Sequence, residues 1–163
     1  MPTSTSSELS VLQLRLETFD GLLGLVRHLF TFGTGNDRAT GVLCGEGREW
    51  PEPLATLGPD LLEALQWGTG VRFTIVAFQA YRNGSGCDWH ADTPFDAQAV
   101  LSLGATRTFG VRPIGGEPEW LTVSHGDLVY MPSGFQDEWE HCVPVEPDKP
   151  GERVSLVFRT PRS

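Results

Sequence analysis

The chain has 163 residues, 39% of them apolar, with a net charge of −9 and a pI near 4.8; it is long enough to bury a core unaided and too acidic to grip duplex DNA by counterion release alone. Cys44, Cys87 and Cys142 are odd in number and form no C-x-x-C pair, which excludes a disulfide framework and a cysteine-zinc cluster. The opening "MPTSTSSELS" is polar, with no basic stretch leading into an apolar run, so the expectation is a cytoplasmic monomer without signal peptide or membrane partner, a single domain over residues 1–163.

In "SVLQLRLETF", Leu12, Leu14 and Leu16 alternate with Gln13, Arg15 and Glu17, a period of two that predicts a half-buried strand. "FDGLLGLVRHLF" then sets Leu22, Leu23, Val26, Leu29 and Phe30 at helical spacing, with Asp20 as candidate cap. "RATGVLC" reads as a strand and "GPDLLEALQ" as a short helix. From residue 71 onward the pattern is almost entirely β. "VRFTIVAFQAY", "AVLSL", "TRTFGVR", "EWLTV", "DLVYMP", "EWEHCVP" and "RVSLVFR" are each strand-like, and turn-forming residues separate most of them. Helices followed by a run of short strands predict a mainly β fold with α support, a sandwich or barrel of the jelly-roll class.

"CDWHADTP" sets His90 two residues before Asp92. In an extended segment both project to one face and can reach one metal ion; alone, so short a motif also fits a polar turn. A third ligand has to come from His28, His125 or His141. His28 falls near the last turn of the predicted helix, where it complements the dipole, and His125 falls in the turn "SHGDL", where a solvated side chain is expected. His141 lies in the strand "EWEHCVP", far enough on for the chain to return to the same end of a barrel. Two histidines and a carboxylate with open positions opposite suit non-haem Fe(II); hydrolytic zinc uses a similar set. In "RVSLVFR", Arg153 and Arg159 share a face with Ser155 and Val157. Inward guanidiniums need anions, and a dicarboxylate fits two planar forks. The competing reading has them flanking the strand in surface salt bridges.

"FQAYRNGSGCDWHAD", "VLSLGATRTFGVR", "HGDLVYMPSGFQDEWEHCVP" and "RVSLVFR" together resemble the catalytic core of the AlkB-like Fe(II)/2-oxoglutarate dioxygenases, which oxidatively dealkylate nucleic-acid bases. The likeness runs from about Trp50 to Arg159 and rests on the ordered series H-x-D, Q-x-x-W-x-H-x-V-P and R-x5-R. It implies a double-stranded β-helix (jelly-roll) core over about residues 50–160, flanked by one or two N-terminal helices, with residues 1–49 as a strand-helix extension. It further implies that His90, Asp92 and His141 hold Fe(II), that Arg153 and Tyr81 meet the distal carboxylate of 2-oxoglutarate, and that Arg159 lies near the carboxylate at the metal, with O2 as the other co-substrate. Gln79 and Ser155 stand where the family usually has asparagines and Val157 where it has threonine; Gln79 and Ser155 retain hydrogen-bonding groups and Val157 does not.

On the substrate side the chain departs from the family. Thr93 and Pro94 replace the acidic residues that typically follow H-x-D, and "RATGVLCGEG" lacks the tyrosine-rich strand that usually forms a nucleotide lid. Trp89, Phe95, Phe135 and Trp139 are candidates to stack on a flipped base, although aromatics in a strand-rich core more often pack. Trp89, Thr93 and Trp139 are the expected substrate contacts. The resemblance implies demethylation of alkylated bases, with single-stranded or damaged nucleic acid as partner; hydroxylation of a small molecule or protein on the same fold is the alternative.

Overall fold

The computed structural model describes residues 16–163. Helix α1 (Leu16–Arg27) leads into strand β1 (Arg38–Cys44), a 3-10 turn (Glu52–Leu54) and helix α2 (Leu57–Thr69). Then come β2 (Ile75–Tyr81), β3 (Cys87–His90), β4 (Phe95–Gly104), β5 (Arg107–Pro113), β6 (Glu119–Val123) and β7 (Leu128–Met131). A single helical turn, α3 (Phe135–Glu138), precedes β8 (Trp139–Val143) and β9 (Arg153–Pro161). A larger sheet runs in the order β1-β2-β9-β4-β7 and a smaller one in the order β3-β8-β5-β6, with antiparallel pairing throughout. This is the expected jelly-roll architecture with helical support.

Alternation along the central strands sorts side chains into two cores. Val154, Leu156 and Phe158 of β9, with Phe78 of β2 and Leu101 and Leu103 of β4, pack against Phe19, Leu22 and Val26 of α1 and Leu61 and Leu65 of α2. Each such side chain contributes roughly 1.5–3 kcal/mol when fully buried. The opposite faces of those strands meet the smaller sheet, where Tyr81, Val100, Val157, Phe109, Met131 and Val143 form the second core. Arg153, Ser155, Val157 and Arg159 therefore face the space between the sheets, as do their register partners Tyr81, Gln79 and Gln98.

Several expectations need correction. The strand expected over "SVLQLRLETF" lies mostly outside the described residues, and its last four residues form the first turn of α1 instead. Asp20 is consequently within the helix rather than its cap, and His28 lies just past the helix end. The amphipathic pattern of α1 extends one turn upstream through Phe19, which is buried. β1, assigned by the sequence to the N-terminal extension, pairs along β2 as the edge of the larger sheet. Strand β3 and the turn α3 are elements that the sequence pattern does not mark. No described helix is long and apolar enough to cross a membrane.

Candidate active site

His90 and His141 are register partners across β3 and β8, which brings their ring centroids to 4.3 Å. A bulge in β3 opposes Cys87 to Val143 and His90 to His141, one residue more on β3 than on β8, so Cys87 and His90 both turn toward the inter-sheet space. His90 Nδ1 donates to the Asp88 carbonyl at 2.7 Å, which fixes the tautomer and leaves Nε2 as the free ligand atom.

Asp92 is not on a strand. β3 stops at His90, and the Asp92 carbonyl accepts from Phe95 N–H in the turn leading into β4. The shared face expected of an extended His90–Asp92 segment is supplied instead by clamps: Gln136 Oε1 accepts from Asp92 N–H at 2.8 Å, and Gln98 Nε2 donates to Asp92 Oδ2 at 2.8 Å. Asp92 thereby lies 3.2 Å from His141 Nε2 and 3.7 Å from His90 Nε2, and one ligand atom from each of the three residues falls within 4.8 Å of the others. Burial would raise the Asp92 carboxyl, but the hydrogen bonds from His141 and Gln98 hold it well below the usual carboxylate range. His90 is pushed up to about 9 by its contact with Cys87 and the Asp88 carbonyl, against its own burial, whereas burial lowers His141.

Both arginines face inward. Arg153 is 1% exposed; its Nη2 donates to Ser102 Oγ at 3.0 Å and its buried Nε has no partner. Arg159 donates from Nε to Gln98 Oε1 at 2.7 Å and lies over the Phe95 ring at 4.5 Å. Among the described residues neither pairs with a carboxylate, so the surface salt-bridge reading of this pair falls. Burial lowers the Arg153 pKa and raises that of Tyr81. Tyr81 Oη donates to Gln79 Oε1 at 2.7 Å, and Arg38 Nη2 approaches the same oxygen at 3.4 Å. A single cavity is lined by Gln79, Tyr81, His90, Asp92, His141, Arg153, Ser155 and Arg159, all named by the sequence, and also by Cys87 and Gln98, which were not.

The donor set fits the groups that the motif series implies. Two imidazole nitrogens and a carboxylate converge from one side, as an open-faced Fe(II) site requires, and the buried, unpaired Arg153 guanidinium beside them suits a carboxylate.

The expected substrate contacts divide. Trp89 packs against Trp120 with ring centroids 5.6 Å apart and sits 4.2 Å beneath the Arg112 guanidinium, outside the cavity lining. Thr93 is exposed and its carbonyl accepts from Arg162. Trp139 is also outside the lining, but it shares a face with His141 on β8 and stacks on Phe135 at 5.7 Å and 14°, and Phe135 lies 6.4 Å from the His141 ring. His28 is exposed. His125 is not simply solvated: its Nδ1 accepts from Gly104 N–H and its Nε2 lies 2.8 Å from Asp20 Oδ1 of α1.

A jelly roll with an open His/Asp/His cluster facing inward arginines defines a class of oxygenase. The model of the 2OG-Fe(II) oxygenase superfamily matches residues 35–159, and the chain belongs to that superfamily, whose members use Fe(II), 2-oxoglutarate and O2. Within it the chain is AlkB-like. It is 33% identical over 127 residues to the alpha-ketoglutarate-dependent dioxygenase alkB homolog 3 of Homo sapiens, a match covering 68% of this chain and 43% of the relative. The chain thus spans less than half the length of the curated relatives that it matches. Its fold is similar to that of a 2OG-Fe(II) oxygenase family oxidoreductase from Burkholderia pseudomallei, with a TM-score of 0.59 and 16% identity over 93% of both chains. It is also similar in fold to a prolyl-4-hydroxylase of Pseudomonas putida, with a TM-score of 0.62 and 18% identity over 91% of this chain and 89% of that one.

Proposed function

We propose that the chain is an Fe(II)- and 2-oxoglutarate-dependent dioxygenase that oxidatively demethylates alkylated nucleic-acid bases. The observation that carries the oxygenase reading is the meeting of His90, Asp92 and His141 in one cavity with a buried guanidinium that has no carboxylate partner. His90 and His141 through Nε2 and Asp92 through its carboxylate hold the metal. Fe(II) with 2-oxoglutarate supplies oxidation of a C–H bond by O2, the diacid leaving as succinate and CO2. Arg153, with Tyr81 and Gln79 beside it, would anchor one carboxylate of the diacid, and Arg159 would meet the other. Val100, Phe109, Val143 and Val157 line the cavity and keep bulk water from the reacting carbon. An N-methyl group hydroxylated there breaks down to formaldehyde and the bare base.

The base reading is supported by the similarity to alkB homolog 3 and by the stacked Phe135 and Trp139 on the His141 side. The net charge of −9 and the packing of Trp89 away from the cavity favour a second reading, hydroxylation of a small molecule or protein. The deciding assay scores succinate and formaldehyde from methylated single-stranded oligonucleotides, free nucleosides and metabolites. Expected are oligonucleotide turnover by the wild type and none by His90→Ala; equal output from the two rejects the metal site, and turnover confined to metabolites or peptides selects the second reading.

A further inference from the structure

Gln98 of β4 has no part in the reaction as drawn above, yet it is fully buried, at 0% exposed. An amide in that position costs stability unless both its ends are paired. They are: Nε2 donates to Asp92 Oδ2 at 2.8 Å and Oε1 accepts from Arg159 Nε at 2.7 Å. A guanidinium has only donors and an ionised carboxylate only acceptors, so a single orientation of the amide serves both neighbours. Register explains the reach. Gln98 is the β4 partner of Arg159, and Asp92 hangs from the turn that enters β4.

We propose that Gln98 is a positioning residue that orients both halves of the site at once, tying one oxygen of Asp92 so that the carboxylate offers the metal the other, and turning Arg159 so that its remaining N–H groups face the co-substrate. The inference rests on the iron and 2-oxoglutarate reading of this cavity. A carboxylate with one oxygen engaged by an N–H group is a one-point ligand, which keeps the remaining metal positions free for the diacid. Arg159 has no carboxylate partner among the described residues and stacks on Phe95, so Gln98 is the group that fixes the direction of its fork. An apolar side chain at this position releases both neighbours together.

Gln98→Met keeps the length and removes both polar ends. By calorimetry its Kd for Mn(II) is expected to rise about tenfold, and the Kd of the Mn(II)-loaded protein for 2-oxoglutarate about tenfold as well. The visible spectrum of the Co(II)-substituted variant is expected to change shape. In the Arg159→Lys background, Gln98→Met is expected to cost less 2-oxoglutarate affinity than in the wild type, because the share that acts through Arg159 is already lost. Wild-type Kd values and an unchanged Co(II) spectrum overturn the proposal, and so does simple additivity of the two substitutions. Should the variant not fold, the side-chain amide resonances of Gln98 in the wild type decide: they are expected to shift on addition of Zn(II) and again with 2-oxoglutarate, and an amide that stays still overturns the proposal. His90→Ala separates the two levels, since Mn(II) binding as in the wild type there removes the metal site itself and the proposal with it.

Discussion

Arg153 sits in surroundings that a protein without a ligand has no reason to build. Its side chain is buried, with one hydrogen bond to Ser102, a bare Nε and no carboxylate partner among the described residues. Removing such a charge from water costs several kcal/mol that one neutral hydroxyl does not return. The expectation for Arg153→Met is therefore a ligand-free protein more stable by about 1–4 kcal/mol that gains nothing from 2-oxoglutarate, whereas the wild type gains about 2.7 kcal/mol at a hundredfold excess over Kd. Thermal unfolding with and without the diacid measures both; a less stable variant that the diacid still protects contradicts this account. The aromatic residues make a similar contrast at the substrate side. Trp139 stacks with Phe135 beside His141, and Trp89 packs on Trp120. Trp139→Ala is expected to raise KM for the primary substrate about fivefold or more, an aromatic stack being worth roughly 1–3 kcal/mol, with KM for 2-oxoglutarate unchanged. Trp89→Ala should leave both values alone, and equal effects on the primary substrate would remove the stacking role assigned to the Phe135 side.

At the scale of elements, the smaller sheet depends on a close approach at Gly110, where an added Cβ would lie 2.7 Å from Trp120 and 2.8 Å from Cys142 and Trp89. Three side chains from three strands fill the space that the glycine leaves. Gly110→Ala forces them apart and is expected to cost about 1–3 kcal/mol, read from urea unfolding; a neutral result would mean that the sheet yields more easily than the packing implies. The long strands were legible because side chains alternate along them, as in "RVSLVFR", where the alternation that sends Val154, Leu156 and Phe158 to the helix-side core sends Arg153 and Arg159 to the opposite face, between the sheets. β3 was not legible, since it is only four residues long, "CDWH", two of them polar, and its bulge breaks the period that would betray it. Parity did hold a usable signal at Gln98, which shares a face with Val100 and Ser102 opposite Ala97, Ala99 and Leu101. Gln136 carried no such signal: it lies in a single helical turn, and its contact with Asp92 spans 44 residues of sequence.

Across the whole molecule the two sheets are fastened at the end where Arg107 lies, apart from the cavity lining. There Glu146, on the connection from β8 to β9, accepts from Arg107 Nε at 3.1 Å, from Thr108 N–H at 2.8 Å and from Thr108 Oγ1 at 3.0 Å, with Lys149 Nζ at 2.9 Å. Its own N–H donates to the Gly84 carbonyl in the loop after β2, so one residue joins the smaller sheet to the larger. Burial would raise this carboxyl, yet the hydrogen bonds from Lys149, Thr108 and Arg107 pull it down to about 2 from an ordinary 4.5. A carboxyl lowered in the folded state stabilises fully above its unfolded value and loses that contribution as the pH falls through its folded value. The clamp is thus intact above about pH 4.5 and is released as the pH approaches 2. Glu146→Gln leaves the buried Arg107 charge without its counterion and is expected to cost about 1–3 kcal/mol at pH 7. Urea midpoints of the two proteins should converge as the pH is lowered across that window, and a gap that stays constant down to pH 2 would show that the charge of Glu146 is not what fastens the sheets.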